Sequence, residues 1–344
     1  MAPIHIPVRE DWLAQSVEEV IDPGLPIVDP HHHLWDEGEG RYLFPELLSD
    51  LNSGHNIRAT VYVQCRSMYR RSGPIEMKPV GEVEFVNGIA AQSASGLYGK
   101  SAACAGIVGF ADLALGQRAT PVLEALMRAG GDRLRGIRVP VVFHAHPDVK
   151  SSAASPPGGL MLDANFREGV RLLPRFNLSL DVWAYHTQLG EIEALARATP
   201  EVTIIVDHAG GPIGLGPYKG RKDEVFADWR RGMTSLAALP NIRVKLGGLG
   251  MRVSGLTFHE RAAPPSSQEL ADAWRSYVES AIELFGADRC MFESNFPVDK
   301  GMYSYRTFWN ACKRLSAGCS TSEKAALFSG TASRVYRLPA TFFD

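Results

Sequence analysis

Residues 26–34 read PIVDPHHHL, a short and mainly apolar run with three consecutive histidines at 31–33. The run is apolar before its polar end, as is typical of a strand that is covered on both faces. Side chains alternate along a strand, so we expect His31 and His33 to point one way and His32 the other. The stretch therefore predicts a buried strand that brings two imidazoles to one place, and a polar strand end with packed or solvated histidines is the alternative.

Seven more apolar runs of similar length follow along the chain, and most of them are continuous rather than alternating. They cover 57–65, 105–113, 134–142, 177–184, 202–208, 242–249 and 289–295. Helical patterns are found at 118–129, 189–198, 224–238, 268–286, 303–316 and 321–336.

Eight strands that alternate with helices predict an α/β fold, and specifically a (β/α)8 TIM barrel with long loops. We assign 1–344 to a single barrel domain, with 1–24 as an N-terminal extension. A doubly wound open sheet is the alternative, but no G-x-G-x-x-G or P-loop motif follows the first strand. Loops at 144–160, 209–222 and 250–267, rich in Pro, Gly and Ser, would cover the C-terminal face of the barrel, where active sites of this fold lie.

Composition excludes several classes of protein. The chain has 36 Lys and Arg against 38 Asp and Glu, and this net charge of −2 favours no nucleic-acid partner. Five cysteines without a C-x-x-C pair disfavour a disulfide framework or a zinc ribbon and favour reduced thiols. No signal-peptide pattern and no long apolar window are present, so we expect no membrane partner. We expect a cytoplasmic homodimer that acts on a small-molecule substrate.

Polar side chains at other strand ends are candidates for chemistry, because strand ends converge in a barrel. His208 ends the sixth run, in VDHAGG, and His186 follows the fifth, in WAYHTQL, where Tyr185 or Gln188 is an alternative inward residue. A structural role is the alternative for either histidine. Glu293 and Asn295 lie two apart in MFESNFP and would share a face. Glu293 is a candidate general base or metal ligand, and a structural pair with an inward arginine is the alternative.

Cations inside the apolar runs suggest how a substrate is held. Arg138, in GIRVP, has a planar guanidinium that suits a substrate carboxylate, and a structural ion pair is the alternative. Arg66 and Gln64 at the second strand end are further candidates for substrate binding. For Lys245, in RVKLG, a structural ion pair is the expected role.

Five of these motifs together resemble the amidohydrolase superfamily, and most closely its amidohydrolase-2 branch, which includes pyrone-dicarboxylate and sugar-acid lactonases. They are VDPHHHLWD at 28–36, RGIRV at 135–139, VDHAGGP at 206–212, VKLGGL at 244–249 and MFESNFPVD at 291–299. The resemblance implies a barrel that activates water against a lactone, ester or amide carbonyl. It also implies a divalent metal, expected to be zinc, on His31 and His33. Some lactonases of this branch are thought to work without a metal, which leaves a metal-independent site as the alternative.

One position departs from the family pattern. The usual last motif is Gly-Ser-Asp-(Trp/Phe)-Pro, whose Asp is a general base or a metal ligand, whereas here Asn295 takes the Asp position and Glu293 the Gly position. An amide takes no proton at neutral pH, so we expect Glu293 to carry the carboxylate role.

The resulting hypothesis is hydrolysis of a lactone or of a related ester or cyclic amide of a small, carboxylate-bearing substrate. Glu293 would take a proton from water, His208 would stabilise the oxyanion, and Arg138 would orient the substrate. The alternatives are a decarboxylase of an unsaturated or aromatic acid, and a barrel that binds a small acid without catalysis.

Overall fold

A closed ring of parallel strands forms the centre of the protein. The computed structural model describes residues 5–36, 40–152 and 156–342. In these ranges the barrel strands are β1 (Pro26–His32), β2 (Asn56–Val63), β3 (Ala102–Gly109), β4 (Leu134–Pro140), β5 (Ser179–Trp183), β6 (Ile204–Val206), β7 (Ile242–Leu246) and β8 (Cys290–Phe292). Each pairs in parallel with the next. The backbone after β8 completes the ring, because Asn295 N donates to His31 O at 2.9 Å and His33 N to Phe296 O at 2.7 Å.

Helices connect the strands and pack around them, so the predicted (β/α)8 barrel is confirmed. The helices are α1 (Glu10–Leu13), α2 (Phe44–Leu51), α3 (Val80–Ala94), α4 (Thr120–Gly130), α5 (Ala164–Val170), α6 (Leu189–Ala198), α7 (Lys222–Ala237), α8 (Ser267–Phe285), α9 (Tyr305–Leu315), α10 (Thr321–Ala325) and α11 (Thr331–Val335). A short antiparallel ladder pairs Trp35–Asp36 with Arg41–Tyr42. No helix in the part of the chain that the structure describes is long and apolar enough to cross a membrane.

Local sequence explains why some helices are predictable and others are not. α8 begins at a capping box, in which Ser266 Oγ accepts from Glu269 N and the Glu269 carboxylate accepts from Ser266 N. α3 has no clear 3.6-residue period and contains glycines, so the sequence did not indicate it. One of these, Gly81, lies where a Cβ would come 2.6 Å from Met68 O. The helix predicted at 321–336 is divided by a π-helical turn, Ala326–Gly330.

The barrel strands end earlier than their apolar runs, and two of these ends affect the candidate site. β1 ends at His32 and β8 at Phe292, so Glu293 and Asn295 lie in the backbone beyond β8. Asn295 has φ 56°, in the left-handed region. The alternation expected from Glu293 to Asn295 therefore does not extend through this segment.

The C-terminal segment enters the barrel interior. Ala332, Tyr336 and Leu338 belong to one buried cluster with inward side chains of the strands. The strand members are Val28, Ala59, Val61, Val63, Ala105, Val108, Ile205 and Met291. This apolar cluster packs the interior, and charged groups occupy the barrel between it and the candidate site.

Candidate active site

A cavity of about 330 Å³ opens among the strand ends. Six residues expected from the sequence line it: His33, Gln64, Arg66, Arg138, His208 and Asn295. Ser151 and Met251, from loops after β4 and β7, also line it, as do the rings of Trp35 and Trp183. The cavity thus combines aromatic walls with two guanidinium groups and three imidazoles, the third from His5.

Glu293 joins two histidines at the floor of the site. Its Oε1 lies 2.8 Å from His208 Nδ1 and also accepts from His208 N at 2.9 Å. Its Oε2 lies 2.7 Å from His31 Nδ1. One carboxylate therefore occupies the Nδ1 side of both rings and leaves the Nε2 atoms for other partners.

This carboxylate is fully buried and remains ionised. Burial acts to raise the pKa of Glu293, but the neighbouring His208 and His31 outweigh it and hold the pKa well below its usual range. Glu293 is not among the residues that line the cavity. Its position is behind the histidines rather than beside a substrate.

A second group of buried charges lies next to His31. Lys245 Nζ is 2.7 Å from Asp181 Oδ2, 3.3 Å from Asp207 Oδ1 and 3.1 Å from His31 Nδ1. Burial opposes the charged form of Lys245, but Asp181 and Asp207 raise its pKa, so the lysine stays a cation. The ion pair expected for Lys245 is present, with two carboxylates rather than one.

The Arg138 guanidinium already donates hydrogen bonds to two protein groups. Its Nε donates to Asp207 Oδ2 at 3.2 Å, and its Nη1 donates to Gln64 O at 3.2 Å. Burial acts to raise the pKa of Asp207, but Lys245, His31 and Arg138 hold it well below its usual range. Arg138 thus reaches the cavity with a fixed guanidinium plane.

Three residues fit a divalent metal ion. One donor atom from each of His31, Asp207 and His208 lies within 4.8 Å of the others. His31 Nε2 is buried without a hydrogen-bond partner, and Glu293 supports both imidazoles from behind, as is usual for metal-binding histidines. Imidazole nitrogens and a carboxylate oxygen are suitable ligands for zinc and similar ions.

His33 lies outside this group of three, although the sequence paired it with His31. Its Nδ1 lies 2.8 Å from Val63 O, and its ring meets the His31 ring edge-on with centroids 4.9 Å apart. Burial and the nearby His31 and Arg138 lower the pKa of His33 well below its usual value, so the ring is neutral. His33 therefore presents an unprotonated Nε2 when Nδ1 donates to the carbonyl.

Asn295 lines the cavity with its amide held from one side. Its Nδ2 donates to Asp299 Oδ1 at 3.0 Å, and its Oδ1 is buried without a partner. Asp299 Oδ2 in turn accepts from Tyr303 OH at 2.5 Å and Gly250 N at 3.0 Å. The amide oxygen is thus left as an acceptor in the place where the family pattern has an aspartate.

The residues expected after β5 are placed differently. His186 is buried against the Tyr218 ring, with centroids 5.2 Å apart, and Tyr185 OH bonds Ser151 Oγ at 2.7 Å. Neither lines the cavity, whereas Trp183 does. The strand ends at Trp183, so the chain has already turned away when it reaches residues 185 and 186.

Several site residues were not singled out from the sequence. Asp181 and Asp207 are carboxylates within apolar runs, and the burial argument applied to Glu293 would have indicated them as well. Trp183 is an apolar residue near the end of an apolar run, so nothing in the sequence indicated that it lines the cavity. His5, which stacks on Trp35 with ring centroids 5.8 Å apart, comes from the N-terminal segment and carried no signal either.

Comparisons of the sequence and of the fold with known proteins both find amidohydrolases. Residues 28–338 match the family described as Amidohydrolase (Amidohydro_2). The uncharacterized protein y4mH of Sinorhizobium fredii is 32% identical over 91% of this chain and 99% of its own. An L-fucono-1,5-lactonase of Burkholderia multivorans is 28% identical over 91% of this chain and 96% of its own. The crystal structure of a zinc-bound amidohydrolase from Burkholderia multivorans superposes with a TM-score of 0.69 at 26% identity, and covers 91% of this chain and 99% of that chain.

Proposed function

Because this chain belongs to the amidohydrolase family, we propose that it hydrolyses a lactone or a related small ester that carries a carboxylate. The observation that carries the proposal is the Glu293 bridge between His31 and His208, at the floor of a cavity that also exposes Arg138 and Arg66. The similarity to an L-fucono-1,5-lactonase supports the lactone class.

The metal of this proposal is zinc, which His31, Asp207 and His208 would hold. The family and the zinc-bound relative support a divalent ion, and the nitrogen-rich ligand set favours zinc. When bound, it would act as a Lewis acid and lower the pKa of a water molecule. Glu293 contributes by holding the His31 and His208 rings, which makes it a positioning residue.

Proton transfer is assigned to His33. Its Nε2 takes a proton from the attacking water as the hydroxyl adds to the carbonyl carbon, and returns it to the alkoxide when the ring C–O bond breaks. The sum is one lactone and one water to one hydroxy acid. Asn295 Oδ1 accepts a hydrogen bond and orients the water, since an amide oxygen holds a proton donor without removing its proton.

Substrate orientation comes from the cations of the cavity. Arg138 and Arg66 would bind the substrate carboxylate, with Gln64 as a further contact. The flat walls of Trp35 and Trp183 would enclose the ring of the lactone.

The test is a pH-indicator screen of neutral and carboxylated lactones, with metal content measured on the same protein. We expect hydrolysis of carboxylated lactones, its loss after treatment with dipicolinate, and its return with zinc. Release of CO₂ from an unsaturated or aromatic acid without lactone hydrolysis would instead establish a decarboxylase. Binding of small acids without any turnover would establish a non-catalytic barrel. The homodimer, the cytoplasmic location and the single domain stay predictions.

A further inference from the structure

Four consecutive residues form one wall of the cavity. Gln64, Cys65, Arg66 and Ser67 follow β2, and each lines the cavity. Arg66, in the middle, has φ 72°, a left-handed backbone that is unfavourable for a residue with a Cβ. Surrounding contacts must therefore hold this turn in place.

Glu82, in the first turn of α3, supplies those contacts. Its Oε1 accepts from Cys65 N, Ser67 N and Tyr62 OH, each at 2.9 Å. Its side chain is completely buried and does not reach the cavity. A single oxygen atom thus fixes the backbone on both sides of Arg66.

Arg66 is the cavity guanidinium that remains available for a ligand. Arg138 is already bonded to Asp207 and to the Gln64 carbonyl. In the described ranges the Arg66 guanidinium makes no hydrogen bond or ion pair with another protein group, and the residue is exposed. An anionic group of the substrate would satisfy it.

We propose that Glu82 is a positioning residue that aims Arg66 at an anionic group and so makes the site selective for substrates that carry one. This inference rests on the proposed function. Glu82 acts from outside the cavity, through the 65–67 turn, and touches no substrate.

The acceptor oxygen matters more than the charge. Burial raises the pKa of Glu82 to about 7, and Glu82 Oε2 has no hydrogen-bond partner. A protonated acid or an amide still offers Oε1 to the three donors. Glu82→Gln should therefore retain the turn, whereas Glu82→Asp, which shortens the side chain, should release it.

The test uses citrate as the anionic probe and calorimetry on the full chain. Glu82→Asp and Arg66→Ala should each weaken citrate binding by about tenfold or more, and Glu82→Gln by less than about threefold. The double variant Glu82→Asp/Arg66→Ala should bind citrate as Arg66→Ala does, because both changes remove the same contact. Glu124→Asp, at an exposed position of α4, is the matched control.

Several results would overturn the proposal: wild-type protein that does not bind citrate, unchanged binding in Glu82→Asp, or additive losses in the double variant. If Glu82→Asp does not fold, Arg66→Ala changes only an exposed side chain, and unchanged citrate binding in it overturns the proposal. A structural role alone would also raise KM for a neutral lactone, which we expect to be unchanged in Glu82→Asp. Citrate results as expected without any lactone hydrolysis would remove the proposed function and leave this inference standing.

Discussion

At the scale of single residues, the neighbours of a buried carboxylate determine what it does. Glu293 is enclosed by two imidazoles and stays charged, whereas Glu82 is enclosed by neutral donors and has its pKa raised. The two residues have the same side chain and the same burial, and they differ in their partners, since both oxygens of Glu293 contact histidine nitrogens. The sequence predicted a role for Glu293 from its place in an apolar run, but it could not show which groups surround it.

The first prediction concerns His33, the proposed proton acceptor. His33→Asn should lower kcat by about 10²–10⁴-fold, because an amide cannot take a proton from water. Metal content should not change, since His33 is outside the group of three metal-binding residues. The control is His146→Asn, at an exposed histidine of the loop after β4. Loss of zinc together with activity would instead make His33 a metal ligand.

The pH dependence of stability can be predicted for Glu82. Its pKa rises from the ordinary value of 4.5 to about 7, so between these pH values the folded protein binds this proton more tightly than the unfolded chain does. This group therefore makes the free energy of unfolding decrease as pH rises from 4.5 to 7, by up to about 3 kcal/mol.

Glu82→Gln should remove that part of the decrease. Urea unfolding at pH 5 and pH 7.5 measures this effect, as the difference in the free energy of unfolding between wild type and variant at each pH. Glu124→Gln, at an exposed carboxylate, should follow the wild type. If the free energy of unfolding changed equally with pH in wild type and in Glu82→Gln, the raised pKa of Glu82 would be contradicted.

At the scale of elements, the ends of the strands decide the site. The apolar runs predicted all eight strands, but β1 and β8 stop at His32 and Phe292, so His33, Glu293 and Asn295 lie just beyond them. Ring closure by backbone bonds between the two loops fixes those residues, and such contacts join parts of the chain far apart in sequence. Periodicity therefore predicts which strand ends meet, whereas the direction of Asn295 depends on its left-handed backbone.

The β7 loop approaches the β6 loop so closely that a methyl group would not fit. Gly248 has φ 65°, and a Cβ there would overlap the His208 imidazole. Gly248→Ala should therefore destabilise the protein by about 1–3 kcal/mol more than backbone strain alone, and should reduce kcat by displacing His208. Thermal unfolding and the lactone assay measure the two effects.

Gly220→Ala is the matched control for this prediction. Gly220 also has a positive φ, 79°, but no heavy atom lies within 4 Å of an added Cβ. Gly220→Ala therefore has the backbone strain of a positive φ, but its Cβ overlaps no neighbouring atom. Equal losses in the two variants would show that contact with His208 has no effect.

At the scale of the whole molecule, the C-terminal segment supports the charged groups beneath the site. Tyr336 OH donates to Asp181 Oδ2 at 2.6 Å, and the same oxygen accepts from Lys245, which lies beside His31. A continuous set of hydrogen bonds and ion pairs therefore joins the packed end of the barrel to the candidate metal site. The sequence placed 321–336 in a helix but offered no reason to place Tyr336 inside the barrel.

Tyr336→Phe should lower the free energy of unfolding by about 1–3 kcal/mol, because it removes a donor to a buried carboxylate. Equilibrium denaturation gives the difference, with Tyr98→Phe, at an exposed tyrosine, as the control. Zinc affinity should also fall. Without the Tyr336 hydroxyl, Lys245 remains as a donor to Asp181 Oδ2, and a shift of Lys245 would disturb the adjacent His31. Stability equal to wild type would show that the hydroxyl is not needed.

The route of the chain also has a consequence for the order of events during synthesis. Asp181 lies on the fifth strand and Glu293 follows the eighth, while Tyr336 comes later still. A nascent chain on the ribosome therefore carries His31 and Asp181 for a long time before their partners are made. The protein can complete this charge network, and with it the candidate metal site, only after residue 336 has left the ribosome, so any metal that it takes would bind after synthesis of the barrel rather than during it.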